Sequence, residues 1–218
     1  MGGPVPYLPM IANEIARLLL EAEAVRLRPE EPFTWSSGWK SPIYCDNRLT
    51  LSFPAVRTYI KNALAEAIRR EFAGAEAIAG VATAGIAQGA LVADVLELPY
   101  LYVRPEPKKH GMGNQIEGRL LAGQKVVVIE DLISTGGSSL KVVEVLRQAG
   151  ADVLGMAAIF TYGFPVADEN FAASGVRLLT LSNYETLVAE ASVLNHIPAS
   201  ALASLAAWRQ NPAGWEGN

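Results

Sequence analysis

The sequence predicts an α/β fold in which helices flank a central, mostly parallel sheet. Short β-branched runs alternate with helical segments from residue 77 to residue 181. Strands that alternate with helices in this way form βαβ units, which build parallel sheets. The 218-residue chain is long enough to bury a large core. It carries no internal repeat and no linker, so we predict one domain over residues 1–218.

The segments before the sheet are predicted to be helical and loop-like. A first helix follows from apolar residues at helical spacing, at Ile11, Ile15, Leu18, Leu19 and Ala22. Residues 29–47 are rich in Pro, Ser and Gly, which predicts loops with a short extended piece at 43–45. Ser52 before Pro54 predicts a helix start, followed by a buried stripe that includes Tyr59. We therefore expect a small N-terminal hood over about residues 1–50.

Five short apolar runs predict the strands of a core over about residues 51–195. They lie at 77–81, 100–103, 125–129, 153–160 and 176–181. Ser182 and Glu185 predict a capping box for the helix after the fifth run. An alanine-rich segment at 201–208 predicts a late helix within a C-terminal tail over about 196–218.

Composition and charge exclude several classes of protein. The 22 acidic and 18 basic residues give a net charge of −4 and a pI near 5.3, which argues against nucleic acid as a partner. The single cysteine, Cys45, excludes an intramolecular disulfide and a thiolate zinc cluster. No apolar run approaches 18 residues, and residues 1–9 lack the pattern of a signal peptide. We expect a cytoplasmic protein with no membrane partner.

The most informative motif lies at residues 126–139. A buried strand ends in Glu130 and Asp131, and the small residues Ser134 to Gly137 lead into a helix. Ligands bind at the carboxyl ends of parallel strands, where backbone N–H groups and a helix N-terminus can surround a phosphate. Carboxylates accept hydrogen bonds from sugar hydroxyls and bind Mg²⁺. The motif therefore predicts a site for a phosphorylated sugar, the alternative being a capped sheet with a tight turn.

This motif resembles the phosphoribosyl-pyrophosphate (PRPP) signature of type I phosphoribosyltransferases. The resemblance implies that family's fold, and Mg²⁺ as a cofactor held mainly by PRPP near the acidic pair, with no metal held by the protein alone. The residues that it implies for PRPP are Glu130, Asp131, Leu132, Ile133, Ser134, Thr135, Gly136, Gly137 and Ser138, with Asp131 also catalytic. The superfamily includes regulators without activity, so this motif alone leaves the function open.

A basic loop at residues 104–115 concentrates positive charge in an otherwise acidic chain. It carries Arg104, Lys108, Lys109 and His110, which suggests capture of a polyanion, the alternative being a solvated surface loop. Its pattern Arg-x-x-x-Lys-x-His-Gly resembles the catalytic loop of orotate phosphoribosyltransferases. The resemblance implies that these four residues bind PRPP, that Arg104, Lys108 and His110 are catalytic, and that a homodimer shares the loop between subunits. Pro105 stands where that family often has a second basic residue.

A base segment at residues 33–48 resembles the Ser-Gly-x-x-Ser-Pro-x-Tyr motif of the same family. The resemblance implies that Lys40, Tyr44 and Arg48 line orotate, and that Ser134 contacts both substrates. The glycine-containing turn at 80–86 matches the family's pyrophosphate-side loop but lacks its lysine. The arginine that some members use for the orotate carboxylate is also absent after the fourth predicted strand, which leaves Arg48 as the best candidate.

The resemblance extends from about residue 11 to about residue 194, with the motifs in family order. It implies that orotate and PRPP react to give orotidine 5′-monophosphate and pyrophosphate in pyrimidine synthesis. Two alternatives stay open from the sequence: a phosphoribosyltransferase for another base, and a PRPP-sensing regulator that binds without catalysis.

Overall fold

The computed structural model describes residues 7–35, 38–104, 106 and 115–215. The chain divides into two compact units. The terminal unit combines residues 1–56 with residues 182–218, and the central unit is the continuous stretch 57–181. The single domain over 1–218, with its hood, core and tail, stays a prediction.

The chain starts with helix α1 (Tyr7–Glu21) and four short strands of the terminal unit. These are β1 (Val25–Leu27), β2 (Phe33–Thr34), β3 (Lys40–Ser41) and β4 (Ile43–Cys45). Strand β1 pairs antiparallel with β4, and β2 pairs antiparallel with β3. A 3-10 helix at Asn47–Ser52 leads into α2 (Pro54–Glu71), where proline begins the helix as predicted. Tyr59 is 37% exposed, so its predicted place in the buried stripe of α2 is wrong.

A six-stranded sheet is the centre of the fold. Its strands are β5 (Ala77–Val81), β6 (Tyr100–Val103), β7 (Ile116–Glu117), β8 (Lys125–Ile133), β9 (Asp152–Thr161) and β10 (Leu178–Asn183), in the order β10-β9-β8-β5-β6-β7. The pairs β5–β6, β5–β8 and β8–β9 are parallel, and β7 is antiparallel to β6. The predicted α/β class with a mostly parallel sheet is confirmed.

Strand β8 is four residues longer than its apolar run because β9 pairs with it to the end. The pairing with β5 stops at Gly80 opposite Ile129, whereas the pairing with β9 continues to Ile133 opposite Thr161. The backbone of residues 130–133 therefore stays extended beyond the end of β5. This extension carries the acidic pair.

Helices α3 (Ala84–Leu96), α4 (Gly137–Gln148) and α5 (Pro165–Ala173) connect the strands of the central unit. Helix α3 packs closely on the sheet because glycines face it. A Cβ on Gly80 would lie 2.6 Å from the carbonyl oxygen of Gly85, and one on Gly85 would lie 2.5 Å from the carbonyl oxygen of Ile129. The start of α3 is thereby held against β8 beside Glu130.

Helices α6 (Tyr184–Val193) and α7 (Leu202–Gln210) return the chain to the terminal unit. The predicted capping box of Ser182 and Glu185 is wrong, because Asn183 caps α6 and accepts a hydrogen bond from the N–H of Thr186 at 3.0 Å. The Ser182 hydroxyl instead donates to the carbonyl of Ala12 in α1.

The predicted late helix is confirmed as α7, and its Trp208 is fully buried. The Trp208 ring packs against the rings of Tyr184 and Trp35, with centroids 5.3 and 5.7 Å apart. These aromatic contacts join the two chain segments of the terminal unit, since Trp35 comes from the first segment and Trp208 from the second. Within the described ranges, none of the helices is long and apolar enough to cross a membrane.

Candidate functional site

The acidic pair lies on the part of β8 that extends beyond β5. Glu130 is buried with 6% exposure, and Asp131 is half-buried. Both Glu130 carboxylate oxygens accept hydrogen bonds: one from the backbone N–H of Asp131 at 3.0 Å, the other from the Ser139 hydroxyl at 2.9 Å. The two neighbouring acids thus differ in environment, with one carboxylate fixed inside the protein and the other at its surface.

Burial raises the pKa of Glu130 well above its usual range, and the charge of Asp131 raises it further. The two hydrogen bonds from the Asp131 N–H and the Ser139 hydroxyl favour the ionised form and oppose this rise. Ionising Glu130 therefore costs free energy, and these two hydrogen bonds reduce that cost.

The phosphate loop, Ser134–Gly137, follows β8 and opens α4. Gly136 adopts a left-handed conformation with φ +80°, and its carbonyl accepts the first helical hydrogen bond from the N–H of Leu140. Only glycine adopts this backbone conformation without strain. Thr135, Gly137 and Ser138 are exposed, while Ser134 is half-buried. The loop therefore presents backbone N–H groups and hydroxyls at a helix N-terminus, where an anion is favoured.

Helix α5 and the end of β9 hold the phosphate loop from behind. The Asn170 amide donates to the carbonyl of Thr135 at 2.9 Å, and the Phe171 ring fills the space where a Cβ of Gly136 would lie. The Thr161 hydroxyl and the Tyr162 N–H both donate to the carbonyl of Ile133. The protein's own contacts therefore hold the loop on three sides: through Thr135, Gly136 and Ile133.

Two apolar residues of the PRPP signature have different surroundings. The Ile133 side chain is fully buried in the hydrophobic core, so only its backbone remains available to a ligand. Leu132 is half-buried. The assignment of both residues to PRPP stays a prediction. For Ile133 it concerns only the backbone N–H and carbonyl groups.

The pyrophosphate-side loop lies between β5 and α3. Its Thr83 side chain is exposed at the start of the helix, and the N–H of Ile86 donates to the Thr83 carbonyl. Because Gly85 abuts the backbone of Ile129, this loop and the acidic pair are neighbours. The sheet therefore brings together the PRPP signature and the turn at residues 83–86, because β5 and β8, the strands before them, are neighbours.

The ends of the basic loop are described, and its centre is not. Arg104 and Gln115 bind each other, since the Arg104 N–H donates to the Gln115 carbonyl at 2.9 Å and the Gln115 amide donates to the Arg104 carbonyl at 3.2 Å. The Arg104 guanidinium lies 3.9 Å from the Glu117 carboxylate. Lys108, Lys109 and His110 lie outside the described residues.

The base segment belongs to the terminal unit. The Lys40 ammonium donates to the Thr34 hydroxyl at 2.9 Å across the β2–β3 pair. Tyr44 is 38% exposed on β4, and its ring packs on Phe33 with centroids 5.6 Å apart. Lys40 and Tyr44 thus occupy neighbouring strands of one small substructure.

Arg48 is paired with Asp46 through two hydrogen bonds, of 2.7 and 2.9 Å. These bonds hold the pKa of the Asp46 carboxyl below its usual range. The guanidinium is still largely exposed. Any ligand carboxylate that binds Arg48 would therefore share it with Asp46.

Three residues that sequence reasoning did not assign to the site contact assigned ones. The Arg26 guanidinium lies 5.9 Å from the centre of the Tyr44 ring, Ser139 binds Glu130, and Asn170 binds Thr135. Ser139 ends the predicted motif at 126–139, but its contact with Glu130 depends on the helical phase of α4, which the sequence does not show. Asn170 could not be found either, since nothing in the chain from 135 to 170 marks it as a neighbour of Thr135.

Comparison with known proteins agrees with this arrangement. A family model, described as the phosphoribosyl transferase domain, matches residues 52–186. The chain is 59% identical to the orotate phosphoribosyltransferase of Cytophaga hutchinsonii over 204 residues, covering 94% of this chain and 98% of that protein. It is 56% identical to the orotate phosphoribosyltransferase of Listeria innocua, again covering 94% of this chain and 98% of that protein.

A solved structure of orotate phosphoribosyltransferase from Aeropyrum pernix superposes with a TM-score of 0.73 at 34% identity. The match covers 84% of this chain and 99% of that one. The relatives are thus matched over nearly their whole length, at identities far above those that a shared fold alone requires. The chain belongs to the phosphoribosyl transferase domain family, and within that family to the orotate phosphoribosyltransferases.

Proposed function

We propose that this chain transfers the 5-phosphoribosyl group of PRPP to orotate, giving orotidine 5′-monophosphate and pyrophosphate for pyrimidine synthesis. The observation that carries this function is the acidic pair of β8 leading directly into the phosphate loop at the start of α4. The orotate nitrogen attacks the anomeric carbon as the bond to pyrophosphate breaks, with oxocarbenium character in the transition state. The proton of that nitrogen leaves to water or to the departing pyrophosphate as the new bond forms.

Glu130 and Asp131 hold the ribose hydroxyls, and residues 134–138 hold the 5′-phosphate. Asp131 is half-buried at the loop, where its carboxylate can accept from a sugar hydroxyl. The exposed Thr135, Gly137 and Ser138 supply hydroxyl and N–H donors to the phosphate oxygens. Ser134, half-buried between the acids and the glycines, contacts both substrates.

Mg²⁺ is the cofactor, and the residues present fit it. Carboxylate oxygens are the protein ligands that Mg²⁺ prefers, usually one or two of them beside substrate phosphates. Asp131 is the better placed of the pair, since both Glu130 oxygens already accept hydrogen bonds. When bound, the ion neutralises charge on the departing pyrophosphate.

Lys40, Tyr44 and Arg48 bind orotate, with Arg48 the partner of its carboxylate. The exposed Tyr44 ring, backed by Phe33, offers a flat face to a pyrimidine. Turnover of the purified chain with orotate, uracil and purine bases tests this choice of base. Orotate should be the substrate used, and turnover with a purine instead would overturn it.

The basic loop provides the catalytic cations Arg104, Lys108 and His110, with Lys109 as a further PRPP contact. Cations placed on a leaving pyrophosphate stabilise charge that develops in the transition state. A homodimer shares this loop between its subunits, and the protein works in the cytoplasm.

Replacing Lys108 by Ala should lower kcat about 100-fold or more while PRPP affinity falls much less. The reason is that the ammonium acts chiefly on charge that appears as pyrophosphate leaves. Steady-state kinetics give kcat, and calorimetric titration gives the PRPP affinity. Lys61→Ala on α2 removes the same charge elsewhere and should change neither quantity. Equal losses of kcat and affinity in Lys108→Ala would favour a PRPP-binding regulator instead.

A further inference from the structure

Ser139 and Glu130 form a buried contact across the phosphate loop. The Ser139 side chain is 3% exposed and lies in the first turn of α4, and its hydroxyl reaches the Glu130 carboxylate at 2.9 Å. The other residues of the PRPP signature, 131–138, run between them. Their hydrogen bond therefore connects the strand before the phosphate loop directly to the helix after it.

The two hydrogen-bond donors to Glu130 fix the orientation of its carboxylate. One oxygen is held by the backbone N–H of Asp131, and the other by the Ser139 hydroxyl. A buried carboxylate that loses a donor must ionise with less compensation. The other side chain of the described residues that hydrogen-bonds Glu130 is that of its neighbour Asp131, so Ser139 supplies the side-chain contact from another element.

Among the described residues, none of those that act on Glu130 carries a positive charge. The β9 residue paired with Glu130 is Ala158, and α3 contributes Gly85 at the neighbouring Ile129. The charge that acts on Glu130 is that of Asp131, on the same strand, and it disfavours ionisation. The Ser139 hydroxyl is thus the side-chain group that supports the ionised carboxylate.

We propose that Ser139 is a positioning residue for PRPP binding, which fixes the Glu130 carboxylate toward the ribose and fastens the phosphate loop between β8 and α4. This role rests on the proposed function, in which Glu130 binds the ribose hydroxyls. It makes the third residue of α4 part of the machinery that sets PRPP affinity, although it lies beneath the loop and contacts no substrate.

The test compares Ser139→Ala with Ser139→Thr, which keeps the hydroxyl. Alanine is a good helix former, so the Ser139→Ala variant should fold. It should raise KM for PRPP about tenfold, the usual effect of removing one hydrogen bond to a charged group, with a smaller change in kcat. Ser139→Thr should restore both values toward those of the unchanged chain.

Val143→Ala is the matched control, since it removes a buried side chain of the same helix. It should lower stability without raising KM for PRPP. A KM for PRPP in Ser139→Ala that matches the unchanged chain, or a rise in KM that Val143→Ala reproduces, would overturn the proposal.

Glu130→Gln, measured beside these variants, separates the two proposals. A large rise in KM for PRPP in Glu130→Gln with none in Ser139→Ala would overturn the role of Ser139 and leave that of Glu130 intact. Unchanged PRPP kinetics in Glu130→Gln would overturn both, because Ser139 acts through Glu130.

Discussion

Burial separates the two acids at the end of β8, although they are neighbours in the chain. Glu130 is enclosed and Asp131 is half-buried. An ionised carboxylate loses hydration when it is buried, and hydrogen bonds restore only part of the loss. A ribose hydroxyl that donates to Glu130 adds a further donor to the ionised form. PRPP binding and ionisation of Glu130 therefore favour each other.

Glu130→Gln should make the protein more stable at alkaline pH. The folded pKa of Glu130 lies above its unfolded value, so between the two values the folded chain binds more protons and stability falls as pH rises. The glutamine variant lacks this loss. It should gain about 2 kcal/mol over the unchanged chain between pH 5 and pH 9, as measured by urea unfolding.

Glu144→Gln on the exposed face of α4 is the control for that experiment. Its unfolding free energy should follow that of the unchanged chain across the same pH range. Parallel pH curves for Glu130→Gln and the unchanged chain would show that burial does not oppose ionisation of Glu130.

The residues of the site were predictable to different degrees for a physical reason. Glu130 and Asp131 could be found because two acids directly after a buried strand have no packing role. The contact from Ser139 could not, because it depends on the helical phase of α4, which is set where Gly136 turns left-handed. Arg48 was predicted as the partner of the orotate carboxylate, and its pairing with Asp46 in the structure was not foreseen.

At the scale of elements, close packing between α3 and the sheet places the pyrophosphate-side turn beside the acidic pair. Gly80, Gly85 and Gly89 lie along this contact, where an added Cβ would meet backbone or the Tyr100 ring within 3 Å. The Tyr100 hydroxyl donates to the carbonyl of Ile86 in the first turn of α3. The three glycines thus let α3 approach the sheet closely, and the hydrogen bond from Tyr100 fixes its first turn.

Gly85→Ala should destabilise the protein by about 1–3 kcal/mol, despite the better helix propensity of alanine. The new Cβ would lie 2.5 Å from the Ile129 carbonyl oxygen, so α3 must move away from β8. KM for PRPP should rise as well, because the same movement shifts the turn beside Glu130. Thermal unfolding and steady-state kinetics measure the two effects.

Ala90→Gly is the control: it makes the reverse substitution, alanine to glycine, on the exposed face of α3. It should cost about 1 kcal/mol through propensity alone and leave KM for PRPP unchanged. A Gly85→Ala protein as stable as the unchanged chain, with the same KM, would contradict the close contact between helix and strand.

Elements with a strong apolar pattern were predictable, and short ones were not. Strands β5 and β6 have the predicted bounds, because their apolar runs end where the chain turns. Strand β8 continues through Glu130 and Asp131 because β9 pairs with it, a partner that hydropathy does not reveal. Strands of two or three residues, such as β1 and β7, have too few side chains to form a pattern. The cap of α6 was misassigned because Ser182 and Asn183 are adjacent and both can cap.

At the scale of the whole molecule, the net charge of −4 conceals a local concentration of cations in the basic loop. Capture of pyrophosphate by the loop, as proposed, requires positive charge only in the loop itself. The net negative charge of the rest of the chain is compatible with it and favours solubility. The proposed homodimer adds that each loop serves the neighbouring subunit.

Mixing two inactive variants should restore activity if the loop is shared. Lys108→Ala disables the loop, and Asp131→Asn disables the acidic pair. In a mixed dimer, one site would carry both changes and the other neither. Random exchange of subunits in a symmetric dimer should then restore about one quarter of the original activity. The assay is orotate-dependent pyrophosphate release after the variants are co-refolded.

Each variant refolded alone is the control for the mixture and should stay inactive. A mixture no more active than its components, with dimers present by sedimentation, would mean that each loop acts on its own subunit. A mixture without dimers would contradict the proposed assembly itself.

The division of the terminal unit between the two ends of the chain has a consequence during synthesis on the ribosome. Helix α1 packs with α6, and its Ile15 and Leu19 are fully buried, but α6 lies beyond the entire central unit. At typical rates of elongation the intervening residues take about ten seconds to make. During that time the apolar face of α1 has no native partner, while the continuous central unit can fold as it emerges. Helix α1 is therefore synthesised before the central unit but packed after α6 has emerged.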